Sequence, residues 1–188
     1  MKRSLLALTL LAALPFAASA ADGVSYTYVE GGYTATNTDA GDADGWALKG
    51  SGAIAPNFHL FGEFDKQEIE NTNFDVDHYR VGVGYNRDIT ANTDLLTRVA
   101  YEKYDFGQDL TADGFSVEAG VRSALATNFE GYALAGYENI EDFDGNSDGE
   151  FYGRVGGLVK FNQTRGLNGD VKFGDNYTEY FVGPRVSF

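Results

Sequence analysis

The 188 residues have room for one domain, and a composition of 24 Gly, 14 Phe, 12 Tyr, 3 Pro and 1 Met favours strands, turns and aromatic surfaces over helices. A formal charge of −14 argues against nucleic acid as a partner, and the lack of Cys excludes disulfides and thiolate chemistry. The slightly polar mean hydropathy argues against a bundle of membrane helices, though not against strands in which apolar and polar residues alternate.

The chain opens with Lys2 and Arg3, an apolar run over 5–14, a break at Pro15 and small residues at Ala18 and Ala20. This pattern predicts a secretory signal peptide over 1–20, cut after Ala20 with Ala21 the alternative. The run is too short to cross a bilayer as a helix, and losing Lys2 and Arg3 makes the exported part, 21–188, more acidic still. From there, segments of about ten residues alternate with breaks rich in Gly, Asn and Asp. Ten strands are predicted: 24–35, 45–55, 58–66, 78–88, 94–105, 114–123, 129–140, 150–161, 165–174 and 178–188. Short breaks follow the even strands, at 56–57, 89–93, 124–128 and 162–164. Longer acidic ones follow the odd strands, at 36–44, 67–77, 106–113 and 141–149, with a brief one at 175–177. Short periplasmic turns and longer extracellular loops are the layout of an outer-membrane barrel. A weak repeat of about 33–36 residues, one hairpin per unit, starts at Trp46, Tyr79, Phe115 and Phe151. Such periods also occur in solenoids and propellers, but these units have no second layer of their own, so a closed barrel is simpler. The expected fold is therefore an all-β, closed, antiparallel transmembrane β-barrel of ten strands, with eight as the alternative count.

Alternate residues separate sharply by character. One face of each strand is free of charge: Trp46, Leu48, Gly50, Gly52 and Ile54; Tyr79, Val81, Val83 and Tyr85; Phe115, Val117, Ala119 and Val121; Leu167, Gly169, Val171 and Phe173. The opposite faces carry Glu30, Lys49, Glu63, Asp65, Arg80, Arg98, Glu102, Glu118, Arg122, Glu130, Glu138, Arg154, Lys160, Asp170, Lys172, Glu179 and Arg185. An Arg or Lys facing lipid at mid-membrane costs about 2–4 kcal/mol, so the uncharged faces belong outside and the charges inside. Aromatics mark two girdles on the outward face. Tyr33, Trp46, Phe64, Tyr79, Tyr101, Phe115, Tyr137, Phe151, Phe173 and Tyr180 lie at the loop end; Phe58, Tyr85, Phe129, Phe161 and Phe188 lie at the turn end. A soluble sandwich or lipocalin-like barrel would put either the charges or the aromatics in the wrong solvent. The last strand alternates Tyr180, Val182, Pro184, Val186 and Phe188, an ending of the type that barrel-insertion machinery recognises, and Pro184 removes one ladder donor.

The interior acids and bases nearly cancel, which predicts a salt-bridged, side-chain-filled lumen; a charged pore for small solutes is the alternative. His59 faces inward near a turn. His78 faces inward at the loop-end mouth with Asp65 beside it and Asp77 before it, and a His/Asp pair can act as a general base. No Ser is placed as a nucleophile, so no catalytic residue is expected. The loop segment from Asp144 to Glu150 has the oxygen-ligand spacing of the first half of a calcium loop, but Val155 stands where its closing Glu would fall. A solvated acidic loop is the simpler reading, with divalent bridging to lipopolysaccharide as a further idea. No cofactor or metal is expected. The expected partners are outer-membrane lipid, lipopolysaccharide, the insertion machinery and periplasmic chaperones.

The stretches SYTYVEGGYTATNTDAGDADGWALKG, RVGVGYN, EGYALAGYE, GEFYGRVGGLVKFNQ, GLNGDVK and YFVGPRVSF resemble a xanthomonad family of small outer-membrane proteins. Its members are known as sulfation-dependent quorum factors or activators of plant immunity. The likeness spans nearly the whole chain. It implies a barrel linked to quorum sensing, biofilm, motility or host interaction, and a sulfated tyrosine corresponding to Tyr26. The alternation puts Tyr26 on the inward face of the first strand, where a sulfate would be concealed in an intact barrel. Either a processed fragment signals or the signalling role belongs elsewhere, and the inward placement favours the second. The expected function is thus a non-enzymatic barrel with a structural or surface-interaction role. A secreted signalling factor is the alternative, and a narrow porin the third.

Overall fold

The computed structural model describes residues 23–39, 41–70, 72, 74–107, 110–141 and 147–188. The expected signal peptide and residues 144–146 of the expected half calcium loop lie outside the described residues.

Ten antiparallel strands follow in chain order: β1 (Tyr28–Thr38), β2 (Gly41–Ala55), β3 (Phe58–Ile69), β4 (Asp75–Thr90), β5 (Thr93–Asp105), β6 (Thr111–Ala126), β7 (Phe129–Glu141), β8 (Ser147–Lys160), β9 (Arg165–Phe173) and β10 (Tyr177–Ser187). Each pairs with its neighbours in sequence, and β1 also pairs with β10, so the sheet closes and leaves no edge. The count is ten, not eight.

The period-two pattern decides which residues face out. Along β4 the outward Tyr79, Val81 and Val83 are 46, 60 and 46 % exposed, whereas the inward His78 and Arg80 are 7 and 3 % exposed. Outward aromatics touch along the loop-end girdle. The Phe64 ring lies 5.2 Å from Trp46 and 4.9 Å from Tyr79, and the Tyr137 and Phe151 rings are 5.1 Å apart.

Expected boundaries are corrected at both ends of the barrel. β1 begins at Tyr28, not at 24. Before it, Ser25 Oγ accepts from the Thr27 N–H and Thr27 Oγ1 from the Ala53 N–H, so side chains replace ladder bonds and the segment turns into the lumen. At the loop end the connections are shorter than the sequence suggests. Thr36, Asn37 and Thr38 pair with Ala43, Asp42 and Gly41, and Lys103 with Asp113, across stretches read as loops. Continued pairing satisfies the backbone N–H and C=O groups whatever the polarity of the side chains, so the strands stand above the aromatic girdle.

The turn end reveals a finer repeat. The register shifts at Ala53/Ala55, Asp88/Thr90 and Ala124/Ala126, just before three tight turns that each end in Asn: Asn57, Asn92 and Asn128. The bulged positions Ile54, Ile89 and Leu125 are exposed apolar residues. Each turn Asn then stitches to the strand two further on. Asn57, Asn92 and Asn128 accept, through their carbonyls, from the N–H of Asn86, Ala124 and Lys160 at 2.9, 2.8 and 2.8 Å.

Candidate functional site

Closure brings the inward charges into register. Arg185, Glu30, Lys49, Glu63, Arg80 and Glu102 oppose one another in turn across six adjacent strands, alternating in sign. Opposite charges on facing positions favour the pairing, and the lumen then adds contacts that cross it. Glu118 on β6 is met by Arg98 at 2.8 Å, Arg80 at 3.2 Å and Arg154 at 3.5 Å. Arg80 also reaches Glu102 at 3.1 Å and Glu63 at 3.5 Å. Arg154 reaches Asp170 at 3.7 Å and Glu63 at 3.8 Å, and Lys49 reaches Asp170 at 3.6 Å. Charged groups this deep are tolerable only when paired. Rings fill the space between them: Phe61 lies 5.3 Å from the Arg80 guanidinium and 5.2 Å from that of Arg98, and Phe181 lies 4.0 Å from Lys49 Nζ.

The turn end is closed by a second set. Glu130 accepts from Arg122 at 2.9 Å and pairs with Lys160 at 2.7 Å, and Glu30 accepts from Arg185 at 2.8 Å. Tyr26 lies here. It is 2 % exposed, its hydroxyl donates to Asp94 Oδ2 at 2.9 Å, its ring stacks on His59 at 4.7 Å, and the Arg122 guanidinium sits 5.1 Å from that ring. Leu96 and Leu134 pack with Tyr26 in the one described apolar cluster. Lys160 Nζ also donates to the Gly23 carbonyl, tying the incoming segment down.

At the loop end the lumen opens into a vestibule of about 410 Å³. His78 borders it, its Nδ1 at 3.0 Å from Asp65 and its Nε2 at 3.1 Å from Glu102, while its ring stacks on Tyr104 at 4.2 Å. Both ring nitrogens are therefore committed to carboxylates, and Glu102 is a partner that sequence reasoning had not joined to His78. Asp77 is not part of this group: it faces outward and pairs with Lys66 at 3.2 Å. Lys172 pairs with Glu138 at 2.6 Å beside it.

Sequence reasoning missed the buried neutral and acidic positions Asn86, Asp94, Ser116 and Asn168, each 0 % exposed. Their inward parity was a usable signal: Asn86, Ser116 and Asn168 carry no charge to draw attention, and Asp94 sits at the start of its strand, beside a turn. The last-strand residues Tyr180, Val182 and Val186 face outward on β10, and Phe188 lies just beyond it, bonded through its N–H to the Thr27 carbonyl at 2.9 Å.

A closed antiparallel sheet with an apolar, aromatic-banded exterior and a charged interior defines an integral membrane barrel of the outer-membrane class. The sequence profile of the outer membrane protein beta-barrel domain family matches residues 4–151, and the chain belongs to that family. Among solved structures it is similar to KdgM porin, with 14 % identity, 86 % of this chain and 99 % of that one covered, and a TM-score of 0.45. It is also similar to the translocator domain of autotransporter NalP from Neisseria meningitidis (11 % identity, 89 % and 90 % covered, TM-score 0.49). A third is Ail, the attachment invasion locus protein of Yersinia pestis (14 % identity, 87 % and 99 % covered, TM-score 0.39). No curated protein matches the sequence.

Proposed function

We propose that this protein is a non-enzymatic, non-conducting outer-membrane barrel that works at the cell surface through its extracellular mouth. The observation that carries this reading is the cross-lumen network in which Glu118 engages Arg80, Arg98 and Arg154 from three other strands. Ion pairs and rings occupy the middle of the barrel, and Tyr26 with its partners occupies the turn end. A solute path would have to break several buried pairs at once. The strands that rise above the girdle present the vestibule outward, toward lipopolysaccharide and external molecules, while Tyr180, Val182, Val186 and Phe188 serve recognition by the insertion machinery and its chaperones.

A role in quorum sensing, biofilm or host contact would act through that same surface. Signalling by a sulfated Tyr26 is disfavoured in the intact barrel, since a sulfate there would displace the bond to Asp94 and bring a second anion beside it. Planar-bilayer recording tests the proposal. The purified barrel is expected to give no sustained conductance steps, and large steady steps from the pure protein would support the narrow-porin alternative instead.

A further inference from the structure

The vestibule is hollow because the inward positions of β1 and β2 are small there, among them Thr36, Gly41 and Ala43, while Tyr104, Phe106 and Tyr177 give the rest of its lining an aromatic character. Its polar groups are unevenly used. Lys172 is taken up by Glu138, and His78 by Asp65 and Glu102. Glu179 on β10 also lines the cavity, and its register partner is Lys172, which turns to Glu138 instead. Among the described residues Glu179 forms no ion pair. Gln67 is 8 % exposed; its amide nitrogen donates to Asp65 at 3.3 Å, and its buried Oε1 accepts no hydrogen bond among the described residues. Native proteins rarely leave such an acceptor unmatched.

The cavity thus offers, among the described residues, a carboxylate with no cation within ion-pair distance, apolar or aromatic walls and, just beneath its surface, an amide oxygen without a partner, with acids in excess even when His78 is charged. The aromatic and apolar lining suits an organic cation better than a hydrated metal ion. The volume falls within the range that holds small molecules.

We propose that the vestibule binds a small organic cation, a primary amine on an aromatic body with a second hydrogen-bond donor. Its ammonium is drawn to Glu179 and its second donor to Gln67 Oε1, and aromatic faces favour the cation's approach. This rests on the closed-lumen reading, because in an open channel the mouth would be a passage rather than a site.

The test is an NMR titration of the isotope-labelled full barrel in detergent micelles with tyramine, compared with tyrosol (neutral) and 4-hydroxyphenylacetate (anionic). Tyramine is expected to shift backbone amides around Thr36, Ala43 and His78 to saturation. Tyrosol should bind at least tenfold more weakly, and the anion should leave these amides unshifted. Glu179→Gln should weaken tyramine at least tenfold, and Ala43→Phe, which fills the hollow, should abolish the shifts. Exposed Asp75→Asn is the control that should change nothing. Equal binding of tyramine and tyrosol, shifts confined to the girdles, or an Ala43→Phe barrel that still saturates would overturn the proposal. Conductance of the same preparation separates the two readings. Steady conductance refutes the closed lumen, whereas a silent barrel that leaves tyramine unbound refutes the amine site alone.

Discussion

Arg80→Met examines the lumen where it is most tightly connected. Arg80 is 3 % exposed and faces Glu102 at 3.1 Å, Glu118 at 3.2 Å and Glu63 at 3.5 Å. After the substitution Glu102 keeps His78 at 3.1 Å, and Glu118 keeps Arg98 at 2.8 Å and Arg154 at 3.5 Å. Glu63 keeps Arg154 at 3.8 Å and the charge of Lys49, which faces it across the β2–β3 ladder. Removing one member of a buried pair costs about 3–5 kcal/mol, because the other charge stays desolvated. Since all three acids retain a cation nearby, the lower end, about 3 kcal/mol, is expected, with Glu63, whose remaining ion pair is the longest, carrying most of it. Adding Glu63→Gln should restore about 1 kcal/mol or more, because neighbours in one network do not add independently. The assay is urea unfolding of the barrel in micelles, followed by the fluorescence of Trp46, the only Trp in the chain. A midpoint shift at constant slope reads out as stability. A loss under about 1 kcal/mol, the value for solvent-exposed pairs, would mean that water already solvates these carboxylates and that the lumen is wet.

Further outcomes use the same unfolding assay. Val99 is 58 % exposed on the outward face and pairs with Val83 and Val117 on either side; Val99→Arg should cost about 2–4 kcal/mol in lipid, and a neutral result would move this face out of the membrane. A Cβ on Gly84 would lie 2.0 Å from His59 Nε2, whereas one on Gly52 meets nothing within 4 Å. Gly84→Val should therefore cost about 1–3 kcal/mol through overpacking, and Gly52→Val should be close to neutral; equal effects would contradict the placement of His59. Tyr26→Phe should cost about 1.5–3 kcal/mol, the range for a buried hydrogen bond to a charged group such as Asp94. In the native protein Tyr26 should resist nitration until the barrel is unfolded, and rapid nitration of the folded form would show an accessible Tyr26.

The side each residue faces was legible because alternation in a strand has a period of two and a charge cannot face lipid cheaply. Parity alone placed Glu118 and Arg154 inside, but not against each other. That contact spans β6 and β8 and depends on how the closed sheet is staggered, a quantity no single strand encodes. The ends of strands were the least legible feature. The segment TNTDAGDAD has the composition of a loop, yet its backbone pairs almost to the tip, because hydrogen bonds along a hairpin do not require apolar side chains. Tyr26 was legible as inward but not as leaving the wall, since the bonds of Ser25 and Thr27 that release it are made by side chains to nearby backbone. Glu179 was readable as polar and inward, whereas Gln67 fell in a stretch read as a loop; the hollow between them follows from the small residues of β1 and β2 and emerges only once the barrel is closed.

Adjacent single-cysteine variants on β5 bear most directly on a filled barrel in a membrane, since the natural chain has no Cys to interfere. Ala100 is 3 % exposed and faces the lumen; its neighbour Val99 faces outward. In liposomes Ala100→Cys should stay unreactive toward a water-soluble maleimide until the barrel is unfolded, and a fluorophore attached through Val99→Cys before reconstitution should be quenched by brominated lipid. Fast aqueous labelling of Ala100→Cys in the folded protein would contradict the filled lumen, and an unquenched probe at Val99→Cys would contradict the membrane-facing exterior.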